Sequence, residues 1–128
     1  IYNFKIDIKF KDFRQYEVWN KAISFTTEVY KLTIAFPVSE KYGLANQLQR
    51  AAVSIAANIA EGASRTSEKD FAHFLEISLG SSFEIETQLL ISRNLNYISE
   101  IEYIQIMNEL TILQKQLNNF INRIRSNN

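Results

Sequence analysis

His73 is the only histidine in the chain, and Asp70 stands three residues before it. A carboxylate three positions ahead of an imidazole, both on one face of a helix, resembles one of the two carboxylate-x-x-His motifs that di-metal helical bundles use. The second motif has to come from another helix, and a chain with one histidine cannot supply it. No His-Glu-x-x-His run is present either, so an exposed or interfacial histidine is the simpler reading. Glu84 and Glu86 are two positions apart, which on a helix turns their side chains about 200° away from each other. They cannot share one substrate as acid and base. The three glycines, Gly43, Gly62 and Gly80, are too scattered for a phosphate-cradling loop or a nucleophile elbow, and the absence of cysteine removes thiol nucleophiles, zinc knuckles and disulfides. The sequence therefore predicts no catalytic residue, no cofactor, no metal and no small-molecule substrate.

Binding chemistry is a better prospect. Lys5, Lys9, Lys11 and Arg14 interleave with aromatic residues near the start, and Lys115, Arg123 and Arg125 gather near the end. These seven are the candidate nucleic-acid contacts, since cations hold phosphates and aromatic rings stack on bases. Against this, 14 basic and 14 acidic side chains cancel, which removes the long-range attraction that normally drives nucleic-acid binding. Ordinary solvated surface charge explains the same residues unless a ring of subunits repeats one modest cluster around an axis. Residues 67–98 lean acidic through Glu68, Asp70, Glu76, Glu84 and Glu86.

A chain of 128 residues fits one domain, and 46% hydrophobic residues with few glycines and one proline point to a packed helical protein rather than a disordered or turn-rich one. No apolar run approaches the roughly 20 residues a membrane span needs, and the first residues lack the apolar core of a signal peptide. The expectation is a soluble, unexported, cytoplasmic protein without a membrane partner. Met107 is the only methionine, so the numbering is expected to begin at an internal or trimmed point.

The elements follow from periodicity. Tyr2, Phe4, Ile6, Ile8 and Phe10 alternate with polar residues, the period of a half-buried strand, so residues 1–11 are expected to be an extended segment. Residues 12–126 are expected to form an antiparallel, up-down four-helix bundle, all-α, with helices at about 14–35, 40–61, 67–95 and 100–125. Asp12 is placed to cap the first, Pro37 to end it, and Ser39 to cap the second. Gly62 is expected at the left-handed position that closes helix two, with Thr66 or Ser67 capping helix three and Asn96 closing it. Ser99 and Glu102 form a capping box for helix four, along which Tyr103, Ile106, Leu110, Leu113, Leu117, Phe120 and Ile124 recur as a packing seam. Trp19, Tyr42 and the alanine-rich face of helix two are expected to be structural, and Gly80-Ser81-Ser82 to be a close-packing notch, with a slight bend as the alternative. Helix three carries Phe71, Phe74, Leu75, Ile77, Leu79, Phe83, Ile85, Leu89, Leu90, Ile91 and Leu95, apolar nearly all round. A helix of this kind is buried on more than one side, which predicts an oligomer.

The runs Asp12-Phe13-Arg14, Val18-Trp19-Asn20-Lys21-Ala22, Phe36-Pro37 and Glu40-Lys41-Tyr42-Gly43-Leu44 resemble the opening of the bacterial four-helix bundle proteins known as 23S rRNA intervening-sequence proteins. Residues Gln47 to Gly62, with Phe74-Leu75, Gly80-Ser81 and Glu84 to Leu89, resemble that family's signature, and the likeness spans about Phe10 to Arg125. The resemblance implies a bundle that assembles into a ring, typically a homopentamer. A related branch, the accessory proteins of diversity-generating retroelements, binds a reverse transcriptase and nucleic acid; its members are markedly basic and this chain is not. Gln47, Arg50, Asn58 and Glu61 match polar positions of the signature and become candidates for ordering the junction between helices two and three. The expected function is a noncatalytic oligomeric docking or assembly protein associated with rRNA intervening sequences. The alternative is an RNA- or DNA-binding accessory factor that pools basic patches around the ring.

Overall fold

The computed structural model describes residues 12–126. The extended reading of residues 1–11 lies outside them. Four helices carry the fold: α1 (Glu17–Thr33), α2 (Leu44–Ala63), α3 (Glu68–Asn94) and α4 (Glu100–Ser126). Each packs on the next, and α1 also packs on α4, so the connections close an antiparallel up-down bundle. No described helix is long and apolar enough to cross a membrane.

The start of α1 differs from the expected helix at residue 14. Asp12 accepts the Arg14 N–H at 3.1 Å and so caps a 3-10 turn over Phe13–Gln15, after which Tyr16 is extended. The reason lies in tertiary contacts. The extended backbone delivers the Tyr16 ring to Phe71 (5.9 Å) and Phe120 (5.0 Å), while Phe13 meets Trp19 edge-on at 5.1 Å. Asn20 fastens the arrangement by donating to the Arg14 and Tyr16 carbonyls.

The α1–α2 connection also departs from the expected boundaries. Val38–Glu40 is a separate 3-10 turn, and α2 begins only at Leu44, whose N–H is accepted by the Glu40 carboxylate at 3.1 Å. Glu40, not Ser39, is therefore the capping side chain. Its other oxygen accepts the Tyr97 hydroxyl at 2.9 Å, which ties this connection to the one between α3 and α4. Tyr42, expected to be structural, stands 86% exposed because the late start of α2 leaves it on the outer turn.

Within α2, Leu48, Ile55 and Ile59 are fully buried, and small alanines let α1 come close. The Thr26 hydroxyl reaches both its own helix, at the Ala22 carbonyl (2.7 Å), and the Ala52 carbonyl across the gap (3.1 Å). Gly62 is not a left-handed cap: α2 continues to Ala63, and no glycine has positive φ. A Cβ on Gly62 would stand 2.7 Å from Phe74 Cβ and 2.9 Å from Phe71 Cδ1, so glycine is needed for the approach of α3.

Ser67 caps α3 by accepting the Asp70 N–H at 3.0 Å. Gly80 faces open space, so the close approach expected of Gly80-Ser81-Ser82 is made by serines instead. Ser78 donates to the Ile55 carbonyl at 2.9 Å, and the Ser81 and Ser54 hydroxyls share a bond of 2.9 Å. Asn96 closes α3 with φ of 60°, the Asn96 N–H bonding to Arg93 and the Tyr97 N–H to Ser92. This is the paired end motif that left-handed residues permit. Ser99 and Glu102 cap α4 reciprocally, at 2.8 and 3.1 Å. Of the expected seam, Ile106, Leu110, Leu113, Leu117 and Ile124 are buried, Tyr103 and Phe120 partly so, and Ile121 joins them.

Candidate functional site

The four signature positions are set by helical phase. Gln47, Arg50, Asn58 and Glu61 are spaced 3, 8 and 3 residues apart on α2, which at about 100° per residue confines them to one arc of the helix. That arc is the flank next to α3. Asn58 is half-buried in the seam, its amide donating to the Ser54 carbonyl (2.8 Å) and hydroxyl (3.0 Å), and Ser54 in turn meets Ser81. Gln47 and Arg50 line a shallow groove of about 330 Å³ with Asn46, Ser54, Ser81 and Glu84. Glu61 pairs with Arg65 at 3.3 Å, at the α2–α3 junction. These residues thus form a polar strip along one flank of α2, from which Ser54 reaches Ser81 of α3, and Arg50 is exposed at its edge.

Beside the strip lies an apolar surface. Ile77, Phe83, Leu90 and Ile91 on α3, and Leu95 just past its end, are each 39–52% exposed, although the same helix buries Phe71, Leu75, Ile85 and Leu89 almost completely. Val53 of α2 adds to the exposed apolar area. Covering side chains already about half buried is worth roughly 1 kcal/mol each, half of the full burial value. The arrangement is suited to holding a protein surface.

The basic candidates are not brought together. Arg123 and Arg125, two apart on α4, point to opposite sides, as the helical turn of about 200° requires. Arg125 bonds Glu76 of α3 at 2.7 Å, while Arg123 lies over the Phe120 ring and faces α1. Arg14 is paired with Asp12 at 3.1 Å, and Lys115 is exposed on α4. Lys5, Lys9 and Lys11 lie outside the described residues. His73 is exposed and edge-on to Phe74, and among the described residues no group of three metal-ligating side chains is assembled.

Sequence reading missed the groove between α1 and α4. Tyr16, Val18, Gln116, Phe120 and Arg123 line its first part. Burial raises the Tyr16 phenol above its ordinary pKa, with the charges of Glu68 and Asp12 adding to the effect. No local motif marks this groove, because its two walls are distant in sequence.

The antiparallel packing of four helices places the chain among the all-α four-helix bundles. The chain belongs to the 23S rRNA-intervening sequence protein family, whose model matches residues 14–119. The match includes all four signature positions and stops short of Arg123 and Arg125, narrower than the span read from sequence. A similar solved structure, at 1.70 Å, is a protein of unknown function from the S23 ribosomal protein family of Bacteroides thetaiotaomicron VPI-5482. It superposes with a TM-score of 0.76 at 29% identity, covering 82% of this chain and 95% of that one. No curated protein sequence matches the chain.

Proposed function

We propose that this chain is the subunit of a noncatalytic homo-oligomer that uses the outward side of α3 as its subunit interface and its remaining surface to dock another macromolecule. One observation carries the reading: four large apolar side chains of α3, with Leu95 just past its end, stand about half exposed. Large apolar side chains left uncovered on one side of a helix make that side a candidate interaction surface. Family membership supports an association with rRNA intervening sequences, and the family resemblance suggests a ring of five.

Light scattering of the protein at micromolar concentration is expected to give a multiple of the subunit mass. The double variant Ile77→Lys and Ile91→Lys is expected to shift that mass toward a single subunit while circular dichroism stays helical. A wild-type monomer under these conditions refutes the reading.

A nucleic-acid reading draws on a narrower observation. Lys115 and Arg123 make no ion pair among the described residues, which leaves both cations available to phosphates in each copy.

A further inference from the structure

A second set of uncovered apolar side chains lies across the bundle from α3, on α1, which has no packing contact with α3. Ile23 and Tyr30 are about half exposed and Ile34 is nearly fully so. With the exposed Thr27 they recur at steps of four, three and four residues, which puts them on one stripe of the helix. The stripe runs beside Thr26, whose hydroxyl reaches the Ala52 carbonyl, and so it flanks α2. Val53, next to Ala52, is about half exposed. At the end of the stripe Ile34 joins Val38 and Tyr42, both nearly fully exposed, around a cleft of about 400 Å³ whose other walls include Thr33, Ala45 and Gln49.

The two sets of residues stand at matching levels along the bundle. In the up-down order α1 and α3 run parallel, both antiparallel to α2. The bonds from Thr26 to Ala52 and from Ser54 to Ser81 bring Thr26 and Ser81 close to one level. Counted from there at about 1.5 Å per residue, Ile23, Tyr30 and Ile34 fall within about one helical turn of Ile77, Phe83 and Leu90. Rotation about an axis parallel to the bundle moves a copy sideways without changing its level. Equal levels therefore suit a head-to-tail contact that closes into a ring, whereas unequal levels would build an open helix. The areas agree as well. At roughly 150 Å² per large side chain, the exposed parts of the five residues on the α3 side and of Ile23, Tyr30, Ile34, Val38, Tyr42 and Val53 amount to on the order of 900 Å² of apolar surface. That is the apolar share of a standard interface of about 1,600 Å². Pairing α3 with α3 of a second copy would cover less and leave Ile34, Val38 and Tyr42 in water.

We infer that the outward stripe of α3 in one subunit docks on the α1–α2 face of the next copy, a head-to-tail contact. Ile77 meets Ile23, Phe83 meets Tyr30 and Val53, and Leu90 and Ile91 enter the cleft edged by Ile34 and Tyr42. The pairing rests on α3 being a subunit interface and adds the surface that receives it. Neither face includes α4, so Lys115 and Arg123 stay outside the contact.

The chain lacks cysteine, so Ile34→Cys and Leu90→Cys introduce its only thiols, both at exposed positions. Treated with a short bismaleimide, the full-length double variant is expected to give a ladder of covalently joined subunits, and each single variant none. A covalent dimer from Leu90→Cys alone would mean that α3 pairs with α3, and it overturns the proposal. Light scattering of the same samples separates the two levels of inference. A double variant that is multimeric yet forms no ladder sinks the head-to-tail pairing alone, whereas a monomeric wild type sinks the α3 interface with it. Independently, Ile34→Lys with Tyr42→Lys is expected to reduce the assembly to single subunits while circular dichroism stays helical; retention of the wild-type mass overturns the proposal.

Discussion

Gly62 and Gly80 both sit inside helices, yet the space around them predicts opposite responses to the same methyl group. A Cβ at Gly62 meets Phe74 Cβ at 2.7 Å and Phe71 Cδ1 at 2.9 Å, and neither helix can retreat without opening the α2–α3 core. Overpacking of this kind costs about 1–3 kcal/mol, against a gain of up to about 1 kcal/mol from alanine's helix propensity. Gly62→Ala is therefore expected to lower the Tm. At Gly80 a Cβ meets nothing within 4 Å, so Gly80→Ala is expected to raise stability by about 0.5–1 kcal/mol. Thermal melts of the two variants check the pair, and equal shifts would contradict the packing account. From sequence, Gly62 reads as a helix end because a glycine followed by Ser64, Arg65 and Thr66 suits one. What decides its role is the arrival of Phe71 and Phe74 from another helix, a non-local fact. The signature residues show the same limit. Their common arc on α2 is legible from spacing, but the partnership of Asn58 with Ser54 and Ser81 appears only when α3 is in place.

Helix ends divide by whether their partners are local. The start of α4 and the end of α3 are legible because Ser99, Glu102 and Asn96 bond within a few residues of themselves. Removing the Ser99 hydroxyl with Ser99→Ala is expected to cost about 0.5–2 kcal/mol. Asn96 holds φ of 60°, a region that costs an ordinary L-residue about 1–2 kcal/mol. Asn96→Val should therefore destabilise by a similar amount, whereas Asn96→Gly should match or exceed the wild type. Urea denaturation distinguishes the two, and a stable Asn96→Val variant would show that the turn between α3 and α4 can reshape itself. The starts of α1 and α2 are misplaced by sequence reading for the complementary reason. Tyr16 stays extended to reach Phe71 and Phe120, and Glu40 is held by Tyr97 from the far connection.

For the whole molecule, the decisive quantity is how charge and apolar surface add when copies assemble. A chain of zero formal charge gives one subunit no long-range pull on phosphates, so any affinity for RNA has to come from cations repeated around an assembly. The structure separates these cations by their commitments. Arg125 is spent on Glu76 at 2.7 Å, but Lys115 and Arg123 are bound to no carboxylate among the described residues. If the assembly binds structured RNA, affinity should fall steeply with salt, and Arg123→Ala with Lys115→Ala should both weaken binding and flatten the salt dependence. Arg125→Ala should do less to the RNA and more to stability, since it leaves Glu76 without its partner. Filter-binding titrations from low to moderate salt, with melts of the same variants, separate these effects. Salt-insensitive binding, or a larger loss from Arg125→Ala than from Arg123→Ala, would mean that the nucleic acid is held elsewhere. No binding at low salt would leave the apolar face of α3 as the surface through which this molecule works.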